Sequence, residues 1–254
     1  MGLYKQTLFG DKVRAYKGRV IYETKGRAKE YRELACNLYS GCDHRCVYCY
    51  APKVLQRDRL EFQKPEPRKG IIGSIEHDAQ RMAGEDRQIL FCFTCDPYQK
   101  LDVEYGLTRE AIEACHKYGL SISVLTKGGS RALRDLDLFT SQDSFAMTLT
   151  LLDEEESRKW EPGAASPQDR IDTMRKFHEA GIPTWVSLEP VIEVDATLEI
   201  IRQTHTFVDE FKVGVLNYHP SQIDWRRFGK EVVALLKSLG CAYYLKHDLR
   251  RYLA

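Results

Sequence analysis

The feature that most constrains this chain is the stretch from Asn37 to Pro52. It carries Cys42, Cys46 and Cys49 at the spacing C-x3-C-x2-C, with Tyr48 and Tyr50 on either side of the last cysteine. Thiolates are soft ligands, suited to iron–sulfur clusters or zinc, and both kinds of centre ordinarily want four protein ligands. Three cysteines in one short loop, with no obvious fourth, point to a cluster with one iron left open. The competing arrangement is a zinc knuckle completed by His44 or by a distant cysteine.

The rest of the composition is ordinary. The chain has 254 residues, 43% hydrophobic and 30% charged, enough to bury a substantial core. Its eight cysteines, with no export signal, lead us to expect a reducing cytoplasm where thiols stay available as ligands. No apolar run approaches membrane-spanning length, so no membrane partner is expected. Net charge is +1, yet residues 1–33 hold nine basic against four acidic side chains, a local +5. A basic arm of this kind is compatible with nucleic acid and equally with a solvated surface. We read residues 1–33 as an arm packed on a single domain formed by residues 34–254.

From Leu34 onward, short apolar runs alternate with helical patterns. Strands are expected at 34–39, 88–95, 121–126, 145–150, 184–189, 210–216 and 241–246. Helices are expected at 71–82, 108–118, 131–139, 167–180, 196–208 and 225–239. This rhythm indicates βα units and a parallel sheet. Ser166, Pro167 and Asp169 form an N-cap, an N1 proline and a capping-box acid, and Gly181 can end the same helix. Six βα units and a seventh strand fall short of a closed eightfold barrel. In barrels of parallel strands the chemistry sits at the C-terminal strand ends, and the cysteine loop directly follows the first strand.

The motifs are more specific than the rhythm. Gly41-Cys42, His44, Cys46 and Tyr48-Cys49-Tyr50 are followed by Asp96-Pro97-Tyr98-Gln99, Leu107-Thr108-Arg109 and Thr126-Lys127. Then come Glu161-Pro162, Ser166-Pro167, Arg170, Glu179-Ala180-Gly181-Ile182-Pro183 and Pro190-Val191-Ile192. In this order, across residues 37–192, they resemble the radical S-adenosylmethionine (SAM) superfamily and, within it, the spore photoproduct lyase-like family. The resemblance implies a partial (β/α)6 barrel of the α/β class. It also implies a [4Fe-4S] cluster on Cys42, Cys46 and Cys49, and reductive cleavage of SAM to methionine and a 5′-deoxyadenosyl radical. It further implies an external one-electron reductant of the flavodoxin or ferredoxin type, and DNA or RNA as a possible substrate. Modification of a protein or small molecule, or a metal-binding module without turnover, are the other readings.

Site roles follow from the resemblance residue by residue. Tyr48 packs against the adenine and Lys127 contacts SAM from the end of the third strand. Thr148 or Thr150 supplies a hydroxyl to the ribose or the methionyl carboxylate. Arg170 meets that carboxylate or, alternatively, pairs with Glu161. Val191 offers backbone groups to the adenine edge, and Asp96 belongs to the cofactor rim or simply caps a turn. Cys95, nearer the rim than Cys92, is the candidate hydrogen-atom donor. The place of the lyase's own donor cysteine falls on Phe93, a departure that bears on the fate of the radical. His44 is read as a loop organiser.

Overall fold

The computed structural model describes residues 19–254. Ten strands occur among them: β1 (Tyr22–Glu23), β2 (Leu34–Cys36), β3 (Tyr39–Ser40), β4 (Glu66–Pro67), β5 (Ile89–Phe91), β6 (Ile122–Thr126), β7 (Ser144–Thr148), β8 (Thr184–Leu188), β9 (Glu210–Val213) and β10 (Ala242–Leu245). The helices are α1 (Ala51–Val54), α2 (Arg59–Phe62), α3 (Ile71–Arg81), α4 (Lys100–Tyr105), α5 (Leu107–His116), α6 (Glu154–Trp160), α7 (Pro167–Glu179), α8 (Val194–Thr204), α9 (Trp225–Ser238) and α10 (His247–Arg250). The main sheet runs β1-β2-β5-β6-β7-β8-β9-β10. Every neighbouring pair in it is parallel except β1 with β2. The seven expected strands are therefore present in the expected order, as a partial barrel, and an antiparallel edge strand is added.

Both faces of the parallel strands are buried, as parallel sheets require. Phe145 and Met147 face the helices, where the Phe145 and Phe177 rings stack at 3.5 Å and Phe139 meets Phe177 edge-on at 5.0 Å. The alternate residue Ala146 faces inward and packs with Ala35, Leu90 and Trp185. Ser166 caps α7 as expected, accepting from the Asp169 amide at 3.2 Å. The expected helix at 131–139 is instead 3-10, over Gly129–Leu138. Its buried residues Gly129, Ala132 and Asp135 recur every third position, which suits a three-residue turn better than an α-turn.

The first 18 residues of the expected basic arm lie outside the described residues. The remainder bridges the two open edges of the sheet. Lys212 Nζ, on β9, donates to the Glu30 and Tyr31 carbonyls at 3.0 and 3.1 Å. The His247 amide donates to Glu30 Oε1 at 2.6 Å, and Arg27 pairs with Asp248 at 2.8 Å. Below, at the N-terminal strand ends, the interior is plugged. Arg32 lies over Trp185 and donates to Gln88 Oε1 and Ser144 Oγ at 2.9 and 3.0 Å. Trp185 Nε1 and the Ser144 hydroxyl both donate to Ser123 Oγ. Access to the interior is left to the opposite end, where the strands' C-termini lie.

Candidate functional site

The cysteine loop crosses that open end and is tied down on several sides. The Cys42 amide donates to the Phe62 carbonyl at 3.0 Å and the Val47 amide to the Trp160 carbonyl at 2.8 Å. The Asp43 amide donates to Gln99 Oε1 at 3.0 Å, and the Asp43 carboxylate accepts from the first amides of α4. Arg59, at the start of α2, spans the Cys46 and Cys49 carbonyls at 3.1 and 3.0 Å. Two glycines make this geometry possible. Gly41 has φ +98, which L side chains rarely adopt. A Cβ on Gly163 would lie 2.3 Å from the Asp43 carbonyl oxygen, so only glycine lets the segment after α6 lie against the loop.

His44 is buried and saturated. Its Nδ1 sits 3.3 Å from Asp96 Oδ2 and its Nε2 3.1 Å from an Arg131 guanidinium nitrogen. That removes it from the ligand set and leaves the thiols as the loop's donors. No three His, Cys, Asp or Glu side chains among the described residues converge on a point that one ion could occupy. This counts against a zinc knuckle, whereas thiolates holding a cluster bind separate irons. Burial, with the Asp96 charge next, pushes the Cys42 thiol up. Burial also raises Cys46 to about 12, against the pull of Lys127. Soft ligands of this kind lose their protons as they take up metal, and the nearby Lys127 ammonium favours the charged form. The donor set fits a cluster bound through three cysteines.

Around the loop, Glu161 joins residues that the sequence treats separately. It is fully buried and accepts from both the Tyr48 hydroxyl and the Arg170 guanidinium. Burial alone would raise its carboxyl, but Arg170 and Lys127 outweigh burial and hold it below its usual value. Lys127 Nζ stands 5.6 Å over the Tyr48 ring. Burial opposes its charge, and the neighbouring Cys46 and Glu161 reverse the effect and raise it. Arg170 does find a carboxylate, and it belongs to Glu161, 2.5 Å away. The same guanidinium also donates to the Ala165 and Thr148 carbonyls and the Ser157 hydroxyl. A guanidinium this buried has to be paired within the protein, so Arg170 shapes the site through Glu161 and the Thr148 backbone.

Asp96 likewise acts through its neighbours. One oxygen accepts from the Tyr98 amide and Thr126 hydroxyl at 2.9 and 2.6 Å. The other accepts from the Lys127 amide at 2.7 Å and faces His44. These contacts overcome burial and keep the Asp96 carboxyl well below the usual carboxylate range. Thr148 and Thr150 are both buried, and Thr150 Oγ1 has no hydrogen-bond partner. Val191, just beyond β8, is fully buried in the helix-side core.

Cys95 is not brought into the interior. Strand β5 stops at Phe91, so the alternation that would place Cys92 and Cys95 on opposite faces ends there. Both pack with the helix-side core, and Cys95 Sγ lies 3.9 Å from Asn37 Oδ1. The inward position goes to Phe93, whose ring meets Tyr31 and Tyr50, each at 5.8 Å. Asn37 fixes this turn by accepting the Phe93 and Thr94 amides at 2.9 and 2.8 Å. Glu189, Lys246 and Tyr31 form a second buried polar group, in which Lys246 and Tyr31 both donate to Glu189.

The fold and the loop together define a class, and comparison with known proteins agrees. The chain belongs to the Radical SAM superfamily, whose sequence pattern matches residues 36–207. It is similar to an uncharacterised protein of Mycobacterium tuberculosis, 28% identical over 168 residues, which cover 61% of this chain and 48% of that protein. The chain thus spans about half the length of that relative. An uncharacterised protein of Methanocaldococcus jannaschii is 28% identical over 73% of this chain and 71% of its own length. Among solved structures, a spore photoproduct lyase mutant superposes with TM-score 0.70 at 14% identity, over 92% of this chain and 81% of that one. Streptococcus suis SuiB bound to SAM gives 0.66 at 12% identity, over 86% and 51%. These likenesses establish a shared fold. Among the described residues no helix is long and apolar enough to cross a membrane.

Proposed function

We propose that this chain binds a [4Fe-4S] cluster through Cys42, Cys46 and Cys49 and cleaves SAM reductively at the barrel mouth, acting on a nucleic acid. The observation that carries the chemistry is the loop itself, in which three thiols are fixed at the open end of the barrel and the one nearby imidazole is committed elsewhere. When bound, the cluster would supply one electron and an open iron able to chelate the amino and carboxylate groups of SAM. The protein's part is to bind, orient and exclude water. Tyr48, braced by Glu161, offers a ring to the adenine. Lys127 supplies a cation beside Cys46. The Thr150 hydroxyl, buried without a partner, offers a hydrogen bond to the ribose or carboxylate, and the chain at Val191 offers backbone groups. Arg170 and Asp96 position these groups.

The substrate reading is supported by the likeness to spore photoproduct lyase, one structure of which is complexed with a dinucleoside spore photoproduct, and by the basic N-terminal segment. Phe93 stands where the resemblance puts the lyase's donor cysteine, so the product radical is expected to be quenched differently from lesion repair.

The test is anaerobic reconstitution followed by electron paramagnetic resonance and assay for 5′-deoxyadenosine. Cys46→Ala should lose both cluster signal and product while keeping its circular dichroism; near-normal SAM cleavage by that variant would remove the assignment. For the substrate, affinity for single- and double-stranded DNA and RNA should fall steeply with salt, because phosphate contacts release counterions. Salt-independent binding would argue against nucleic acid.

A further inference from the structure

Seven large hydrophobic side chains are strongly exposed among the described residues, and their distribution is uneven. Val47, Val54, Leu55 and Leu60 come from the cysteine loop, α1 and α2, with Leu60 69% exposed. A fifth, Tyr218, is tied to the same region by Lys53, whose Nζ lies 5.0 Å from its ring. Isolated exposed apolar residues need no explanation, but a cluster rimmed by charge marks an interaction surface. Residues 45–64 hold five basic side chains, Arg45, Lys53, Arg57, Arg59 and Lys64, against the carboxylates of Asp58 and Glu61. Both carboxylates are engaged locally. Asp58 caps α2 by accepting from the Leu60 and Glu61 amides, and Glu61 accepts from Lys64.

This surface is also mechanically joined to the ligand loop. Val47 lies between two of the cysteines, and Arg59 spans the carbonyls of Cys46 and Cys49. We infer that the α1–α2 face is the docking site of an acidic one-electron carrier protein, which delivers its electron across the cysteine loop. The inference rests on the cluster reading above and adds the surface by which the cluster is served. Charge complementarity selects an acidic partner. The exposed leucines and valines select a protein over a nucleic acid, whose backbone would meet the cations but leave the apolar side chains without matching contacts.

The test uses the reconstituted enzyme and flavodoxin as the probe. Binding is measured by calorimetry across salt, and SAM cleavage is measured with either reduced flavodoxin or dithionite. The Val54→Asp/Leu60→Asp double variant, which alters only exposed side chains, should weaken flavodoxin affinity at least tenfold. It should depress the flavodoxin-driven rate and leave the dithionite-driven rate unchanged. Wild-type affinity should fall with salt. Unchanged flavodoxin affinity in the variant, or wild-type binding indifferent to salt, would overturn the proposal. So would a variant that loses duplex DNA binding but keeps flavodoxin. Failure of the cluster reading would look different, as absence of dithionite-driven cleavage in the wild type.

Discussion

The two ends of the barrel interior treat polar groups in opposite ways. At the N-terminal end, Arg32, Gln88, Ser123, Ser144 and the Trp185 indole satisfy one another through direct hydrogen bonds. At the C-terminal end, Gln99 Nε2, Arg131 Nε and Thr150 Oγ1 are buried without partners. An unsatisfied buried donor or acceptor costs about 1–3 kcal/mol, so a fold that tolerates several at one end and arranges complete pairing at the other has reserved the first for something that binds. The plugged floor contributes stability, and the mouth gives some of it up to leave polar atoms available.

That contrast can be broken at the floor first. Trp185→Ala should cost about 3–5 kcal/mol in urea unfolding, as expected for a buried aromatic, with SAM affinity retained in the fraction that stays folded. A loss of SAM binding without a loss of stability would erase the division between the two ends. Glu161→Leu tests the one mouth residue that behaves like floor. Leaving the Arg170 charge buried and unpaired should destabilise by about 3–5 kcal/mol. A neutral effect on the unfolding midpoint would mean that the Arg170–Glu161 pair does not hold the site.

A pH experiment sharpens the floor further. Burial, with the Arg32 charge next, lowers the Lys212 ammonium to about 8, against about 10.4 for an unfolded lysine. Below the folded value both states are charged, and the folded state bears the full cost. Between the two values the unfolded chain holds more protons, so stability rises with pH. The stability of the wild type relative to Lys212→Met should therefore climb by up to about 3 kcal/mol between pH 7.5 and 10. A flat difference would show that Lys212 titrates normally. The smallest effect is expected at the mouth. Thr150→Val removes an unpartnered hydroxyl and should stabilise the unliganded protein by about 1 kcal/mol, while weakening SAM roughly tenfold, about 1.4 kcal/mol. Unchanged SAM affinity would take Thr150 out of the site.

Much of the fold was legible in the sequence because its signals are local. Apolar runs separated by helical periods, and the cap of α7, depend on residues within a few positions of one another. The short pairing of β1, the β3–β4 ladder and helices α1, α2, α4 and α6 were not legible, since two- to seven-residue elements carry too little periodicity. Cys95 was placed wrongly for a related reason. The apolar run through residues 88–95 reads as one strand, but Asn37 turns the chain after Phe91 by claiming the Phe93 and Thr94 amides. Arg59 and Glu161 gave no pattern at all, because each acts on a loop that only the fold brings beside it.

By itself the sequence determined that three soft ligands share one loop, that this loop follows the first strand of a βα series, and that the strand ends carry the polar residues. Only the tertiary structure decided which of those residues remain free. Arg170 is spent on Glu161, Asp96 on Thr126, Lys127 and His44, and His44 on Arg131, while Thr150 is left open. The reason is physical. A motif specifies which group is present, but a buried polar group must pair with whatever the packing places within about 3 Å, and those neighbours come from strand ends far apart in the chain.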